Sequence, residues 1–396
     1  MKKKILIAID SLECAGAEKS LVTLLSLLDY SSYSVDLMLF GHGGLLENLV
    51  PKEVTILPPS KYSTFSSLNL VKAIKYTLKN GEYKKLFSRL NYSLEIRKKK
   101  YSNPQKARLF WQKTSKVIEY GEKEYDIAIS YAQGIPTFYV AEKVNAKKKF
   151  AWVNVSYRLE NRDKQFQRGY YDSYNKIVAV SESTKEIFLE TFPHLSEKVE
   201  VIYDINNPEL INRMADIEDG YNDGFNGLRI LTIGRLAYQK GYDIALDAAK
   251  MLNEKGINFK WYALGKGPLE QEIRLKIKEY GLVDKFVLLG VKANPYPYIK
   301  KANIYVQTSR FEGFGLAIAE ARILNTPVVT TKFDAVFNQM IDEKNGLVVD
   351  MDSKNVFEGI MRLILDNELN ERITKYLECE KKGNKEEIAK FYCLIG

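Results

Sequence analysis

Short, mostly apolar runs recur along the entire chain, and longer stretches of mixed polarity separate them. Those from Lys4 to Ile9, Ser34 to Phe40, Glu53 to Leu57, Tyr125 to Ser130, Lys149 to Val153, Lys176 to Val180 and Lys198 to Tyr203 read as strands. A second series runs from Leu228 to Ile233, Asn258 to Leu264, Lys285 to Leu289, Asn303 to Thr308, Pro327 to Thr331 and Gly346 to Val349. Segments with helical periodicity lie between them, including Ala17 to Leu28, Tyr242 to Leu252 and Ala317 to Leu324. Alternation of strand and helix is the pattern of a parallel sheet covered on both faces. Between the two series, Asp204 to Asn226 is rich in Asn, Asp and Gly and reads as a linker. A chain of 396 residues exceeds what one core usually supports, so two domains are expected.

Composition narrows the class only a little. With 45% apolar residues and interleaved charge the chain is globular. The basic start Met1-Lys2-Lys3-Lys4 precedes an apolar run of only Ile5 to Ile9, too short for a signal peptide core. No stretch approaches the roughly 20 apolar residues of a spanning helix, so a cytoplasmic location is expected. Cys14, Cys379 and Cys393 have no metal-type spacing and read as reduced thiols. His42, in a glycine loop, and His194, after Phe192-Pro193, are the only histidines, and neither is a catalytic candidate.

The chemistry concentrates at strand ends. The run from Asn303 leads into Ser309-Arg310-Phe311-Glu312-Gly313-Phe314-Gly315-Leu316 and on to Glu320, two carboxylates flanking a glycine-rich turn. Gly313 and Gly315 allow close backbone approach, and the first-turn N–H groups of the following helix make an anion site. Upstream, one strand ends in Gly234-Arg235-Leu236 with Lys240-Gly241 beyond it, and another ends in Gly265-Lys266-Gly267-Pro268. Ligands bind at such carboxyl ends in open α/β sheets. Arg235 can grip two oxygens through its fork while Lys240 supplies a point charge, which suits a diphosphate. Glycoside hydrolysis needs two carboxyls flanking the scissile bond, and glycines with nearby cations fit that poorly. Ala17-Glu18-Lys19-Ser20 lacks the glycine before the lysine of a P-loop. Asp350-Met351-Asp352 precedes a helix whose N-cap is read as Ser353, so capping is its expected role.

These motifs, with Gly290-Val291-Lys292 before Asn294-Pro295, resemble the retaining glycosyltransferases of family 4. The N-terminal half fits more loosely, through Ala15-Gly16-Ala17-Glu18-Lys19, Tyr125 to Ser130 and Val180-Ser181-Glu182-Ser183. The resemblance implies an α/β, GT-B fold: two doubly wound Rossmann-like domains facing across a cleft. Residues 1–205 would bind the acceptor and 206–375 the nucleotide sugar, with a helical segment, 376–396, packing back on the first domain. It implies metal-independent transfer of a hexosyl group, with retention, from a nucleotide-diphosphate donor such as a UDP-sugar; no further cofactor is expected. Arg235, Lys240 and Glu312 would be catalytic. Donor contacts would come from Gly16, Asn154, Gly234, Arg235, Lys240, Gly265, Val291, Gly313, Phe314, Gly315, Leu316 and Glu320. Asn154 stands where many relatives have histidine, and it cannot carry a proton at neutral pH. The alternative reading is a non-catalytic GT-B partner of an active transferase, with Asn154 marking lost chemistry; retention of Arg235, Lys240 and both glutamates argues against it.

Residues 72–116 stand apart, with fourteen Lys or Arg against Glu82 and Glu95. Tyr76, Tyr83, Phe87, Tyr92, Tyr101, Phe110 and Trp111 are interleaved with the cations. Lys84, Lys85, Arg97, Lys98, Lys99, Lys100 and Trp111 are therefore assigned to an acceptor or anionic membrane surface at the inner face of the plasma membrane. A solvated helical face is the plain alternative. Nucleic acid is not expected, since no binding module accompanies the charge. Together with the resemblance, this points to a glycan or lipid-linked acceptor in cell-surface polysaccharide synthesis.

Overall fold

The computed structural model describes residues 2–13, 16–155, 158–217 and 219–396. Contacts divide the chain into two units, one built on Ala17–Ile202 with the N-terminal strand and Phe391–Gly396, the other on Tyr203–Lys390.

The first unit holds a sheet of seven strands: β1 (Lys3–Ile9), β2 (Tyr33–Leu39), β3 (Thr55–Ile56), β4 (Glu124–Ser130), β5 (Asn145–Val153), β6 (Lys176–Ala179) and β7 (Val199–Val201). Their order is β3-β2-β1-β4-β5-β6-β7, every pairing parallel. Ile5, Ile7 and Ala8 of β1 are fully buried, as they must be in a strand with helices on both faces. Arg108 and Asp163 form a buried ion pair at 2.6 Å between helices Asn103–Thr114 and Asn161–Asp172.

The second unit has six strands: β8 (Leu228–Ile233), β9 (Phe259–Leu264), β10 (Phe286–Gly290), β11 (Ile304–Gln307), β12 (Val328–Thr331) and β13 (Leu347–Val349). The order β10-β9-β8-β11-β12-β13 is again wholly parallel. Chain order reverses where β8 lies between β9 and β11, so the ends of β8 and β11 flank a topological switch point. One face buries Trp261, Phe259, Ile230 and Val306, and the other Tyr262, Tyr305 and Leu231.

All thirteen strands expected from the apolar runs are present, with ends moved by one to a few residues. Two expectations are corrected. The supposed linker contains helix Pro208–Ala215, capped by Asn207, which buries Ile211 and Ala215 in the second unit. Asp352 caps the helix Ser353–Leu365, not Ser353 itself, because the Asp352 side chain accepts the Asn355 N–H at 2.8 Å. Of the segment 376–396, only Phe391–Gly396 groups with the first unit. There Phe391 packs on Trp152, and the Tyr392 hydroxyl donates to the Leu27 carbonyl at 3.1 Å.

Removing one partner of a buried ion pair strands the other in a low-dielectric interior. Asp163→Ala is therefore expected to destabilise the first unit by about 3–5 kcal/mol, read as a lowered urea midpoint at unchanged slope.

Candidate functional site

The site is built where β8, β9 and β11 end. Gly234 continues β8, and a Cβ there would stand 2.8 Å from the Lys240 side chain. The lysine's methylenes thus lie flat across the glycine. Gly265, with φ +148, approaches the Gly234 carbonyl so closely that a Cβ would fall 2.0 Å from the oxygen. At Gly241, φ is +61 and a Cβ would meet the Thr308 carbonyl oxygen at 2.0 Å. This left-handed residue turns the chain into helix Tyr242–Glu254.

The loop carrying Lys240 is laced to the loop after β11. The Arg310 N–H donates to the Gln239 carbonyl at 2.7 Å, Gln239 Nε2 to the Phe311 carbonyl at 3.0 Å, and Thr308 Oγ1 to the Lys240 carbonyl at 2.9 Å. The Arg310 guanidinium forks onto Asp243 at 3.0 and 2.6 Å and lies over the Tyr238 ring. Burial alone would raise the Asp243 pKa, but the hydrogen bonds and charge of Arg310 outweigh it and hold the carboxyl below its ordinary value.

Three donors converge on one oxygen, Oε1 of Glu312. Lys240 Nζ lies at 2.5 Å, Ser309 Oγ at 2.5 Å and Gln307 Nε2 at 2.8 Å. Behind them the Tyr305 hydroxyl donates to Gln307 Oε1. Tyr305, Gln307 and Ser309 share one face because successive strand residues alternate. Burial, with the Glu312 carboxylate nearby, raises the Tyr305 pKa well above the ordinary phenol value. This polar chain runs through an otherwise apolar interior, since Tyr305, Gln307 and Ser309 are each at most 1% exposed.

Gly315, in the left-handed region at φ +85, caps helix Leu316–Ile323. Gln339 fixes that turn by donating Nε2 to the Phe314 and Gly315 carbonyls. One turn into the helix, the buried Glu320 accepts the Tyr296 hydroxyl at 3.2 Å. The Gly290 carbonyl accepts the Gly265 N–H at 2.8 Å, which sets Val291 just past that contact. Arg235, by contrast, is exposed, and its side chain makes no hydrogen bond or ion pair among the described residues. Lys240 and Glu312 neutralise one another, so Arg235 supplies the uncompensated positive charge at the end of β8.

The second unit carries Gly234, Arg235, Lys240, Gly265, Val291, Glu312, Gly313, Phe314, Gly315, Leu316 and Glu320, and of these Gly234, Lys240, Gly265 and Glu312 are linked by direct contacts. Asn154 lies just past β5 in the first unit, where its Nδ2 donates to the Tyr131 carbonyl at 2.6 Å and its buried Oδ1 finds no partner among the described residues. Gly16 opens helix Gly16–Ser26. Ala15 of the adjoining motif and Cys14 lie outside the described residues. His42 is exposed in its loop, and His194 Nε2 pairs with Asp172 at 2.8 Å. Gln307, Tyr305, Gln339 and Tyr296, with Ser309, carry the site's hydrogen bonding; sequence named Ser309 only as the first residue of the glycine motif and did not single out the other four. The available signal was Gln307-Thr308-Ser309, polar residues closing an apolar strand.

Two residues assigned to an acceptor or membrane surface are corrected. Trp111 is 1% exposed and donates Nε1 to Glu142 at 2.8 Å, because it fills the core between helices Asn103–Thr114 and Ile135–Lys143. Lys85 is largely buried and paired with Glu82 at 3.0 Å and Glu119 at 3.2 Å. Tyr76, Tyr92, Tyr101 and Phe110 are half-buried, whereas Tyr83 and Phe87 are exposed.

Comparison with known proteins agrees with this architecture. Residues 225–378 match the family described as Glycosyl transferases group 1. The chain is 18% identical to Anabaena Alr3699/HepE, solved in complex with UDP and glucose, with a TM-score of 0.67 over 99% of this chain and 98% of that one. TarM gives 15% identity and 0.67 over 100% and 99%. Among curated proteins, the Campylobacter jejuni N-acetylgalactosamine-N,N'-diacetylbacillosaminyl-diphospho-undecaprenol 4-alpha-N-acetylgalactosaminyltransferase is 29% identical over 201 residues, 50% of this chain and 53% of the relative. The Staphylococcus aureus capsular polysaccharide biosynthesis glycosyltransferase CapM is 26% identical over 207 residues, 50% and 54% respectively. The chain spans about half the length of these curated relatives. Its fold is GT-B, and residues 225–378 are a glycosyl transferases group 1 domain.

A side chain at Gly241 has nowhere to go, since the Thr308 carbonyl fills its place and the left-handed backbone adds strain. Gly241→Ala is expected to cost about 2 kcal/mol or more, measured by denaturant unfolding of the full chain.

Proposed function

We propose that the protein is a retaining, metal-independent glycosyltransferase that moves a hexosyl group from a nucleotide-diphosphate sugar to a glycan or lipid-linked acceptor in polysaccharide synthesis. The observation that carries this reading is the unpaired Arg235 beside the Lys240–Glu312 pair, set among glycine turns at the switch point of the second sheet.

Departure of a nucleoside diphosphate builds negative charge on phosphate oxygens while the sugar becomes cationic. Fixed cations and N–H dipoles aimed at that oxygen lower the barrier most. Arg235 meets the phosphates through its fork, and Lys240 shares its charge between Glu312 and the leaving group. Glu312 is held by Gln307 and Ser309 whether or not Lys240 moves, so its position survives the exchange. Glu320, buried and fixed by Tyr296, suits paired hydroxyls such as those of a ribose. Gly313 to Leu316 would face the donor sugar with backbone N–H groups, and Asn154 and Gly16 are further donor contacts in this reading. The relatives support this class of chemistry, since HepE was solved with UDP and glucose and the Campylobacter jejuni enzyme acts on an undecaprenol-linked acceptor. A lipid-linked acceptor also places the enzyme at a membrane face, and no described helix is long and apolar enough to cross one.

A panel of nucleotide sugars tested for thermal stabilisation identifies the donor, because a ligand bound to the folded state raises its melting temperature. With that donor, Arg235→Ala is expected to lower transfer roughly a hundredfold or more. Wild-type turnover in this variant, or stabilisation by no nucleotide sugar, counts against the reading. Proton NMR of the first product reports the anomer, and unchanged rates with chelator report independence from metal.

A further inference from the structure

Helices Leu70–Asn80 and Tyr83–Glu95 are in contact and are joined through Gly81, which sits in the left-handed region at φ +69. Ordinary surface helices bury their apolar side chains. Here Leu70 (50% exposed), Val71 (64%), Ile74 (41%) and Leu78 (67%) remain open to solvent. By the helical repeat they fall within an arc of about 100°. On the second helix Tyr83, Phe87, Leu90 and Leu94 are likewise exposed and fall within about 60°. The first helix buries Ala73 and Thr77, on a different face, so the open stripe is additional to the one that packs. Two consecutive helices thus each carry an uncovered apolar stripe.

The charges around it are of one sign. Lys72, Lys75, Lys79 and Lys84 are exposed, and none has an acidic partner among the described residues. Glu82 and Glu95, the only acids of the segment, are taken by Lys85 and Lys98. Arg97, Lys99 and Lys100 extend the basic flank beyond the second helix. Arg89 points inward instead, donating to the Phe65 and Leu68 carbonyls and fixing the pair to the rest of the unit.

An apolar stripe bordered only by cations matches one kind of surface: acyl chains beneath anionic headgroups. We propose that this helix pair docks on an anionic lipid bilayer, with Leu70, Val71, Ile74, Leu78, Tyr83, Phe87, Leu90 and Leu94 entering the interface and Lys72, Lys75, Lys79 and Lys84 on the headgroup phosphates. The membrane contact assigned from sequence to Trp111 and Lys85 moves to these residues. The inference rests on the lipid-linked acceptor reading for its purpose, but the vesicle test needs no sugar donor, so the two can fail separately.

The three native tryptophans are buried, so a new one at the stripe reports its own environment. In the full-length Phe87→Trp variant, vesicles containing about a third phosphatidylglycerol are expected to shift Trp emission to the blue, while pure phosphatidylcholine leaves it unchanged. Replacing Lys72, Lys75, Lys79 and Lys84 together by Ser should weaken cosedimentation on the order of a thousandfold. Phe87→Glu should abolish it without lowering the melting temperature, whereas Leu365→Glu, at an exposed leucine of the second unit, should leave it intact. Equal binding to neutral and anionic vesicles, no binding to either, or a dimer that Phe87→Glu dissociates would each overturn the proposal, the last by assigning the stripe to a second copy of the chain.

Discussion

Everything at the candidate site depends on how a carboxylate is held beside a lysine at the mouth of a buried polar chain. Glu312 Oε1 receives three donors, and two of them, Gln307 and Ser309, belong to the strand end that also launches the glycine turn. A buried carboxylate without such partners would take up a proton or turn to solvent. With them it is held in place, and Lys240 is drawn to a fixed point across the cradle of Gly234. The backbone contacts at Gly241 and Gly265 leave no room for a side chain, and the hydrogen bonds of Gln239, Thr308 and Arg310 tie the Lys240 loop to the loop after β11. The geometry is set by strand ends and by backbone carbonyls.

The same arrangement explains why two cations at one site behave differently. Lys240 is largely covered and compensated, with its side chain 17% exposed and its partner's 9%. Arg235 is exposed and uncompensated. In the proposed function a dianion would meet Arg235 first at little desolvation cost, and would gain Lys240 only by competing with Glu312. On the proposed reading that competition favours a ligand with two or more anionic oxygens, since a single charge has less with which to draw the lysine away. It also ties the position of Lys240 to that of Glu312, so a change at either is felt by the other.

Much of this was legible in the sequence, and the reasons differ from place to place. The strands showed because doubly covered parallel strands are apolar runs, and the glycines showed because left-handed turns and close approaches exclude other residues. Arg235, Lys240, Glu312 and Glu320 showed because they stand at fixed distances from those glycines. Gln307 and Tyr305 did not, because a polar residue inside an apolar strand has no meaning until its neighbours in space are known. Asp204 to Asn226 misled because its helix is short and its composition is that of a loop, while the burial of Ile211 and Ala215 is a tertiary effect.

Trp111 is the more instructive failure. Its place among lysines and arginines made it look like an interfacial ring, yet helix Asn103–Thr114 turns Leu109 and Trp111 into the core and pairs Arg108 with Asp163. A basic segment with aromatic residues is therefore not one surface. It divides by helix face into residues that hold the segment to its sheet and residues that remain outside. Only the face can tell a structural cation such as Arg89 from a free one such as Lys79, and only the face shows that the exposed apolar residues are mainly aliphatic. Leucines kept in water at four positions of two short helices gain nothing for the isolated fold, because each would be better buried or replaced by a polar residue. Their persistence next to unpaired lysines is what an enzyme working against a lipid surface would show, and a purely solvated helix face would not.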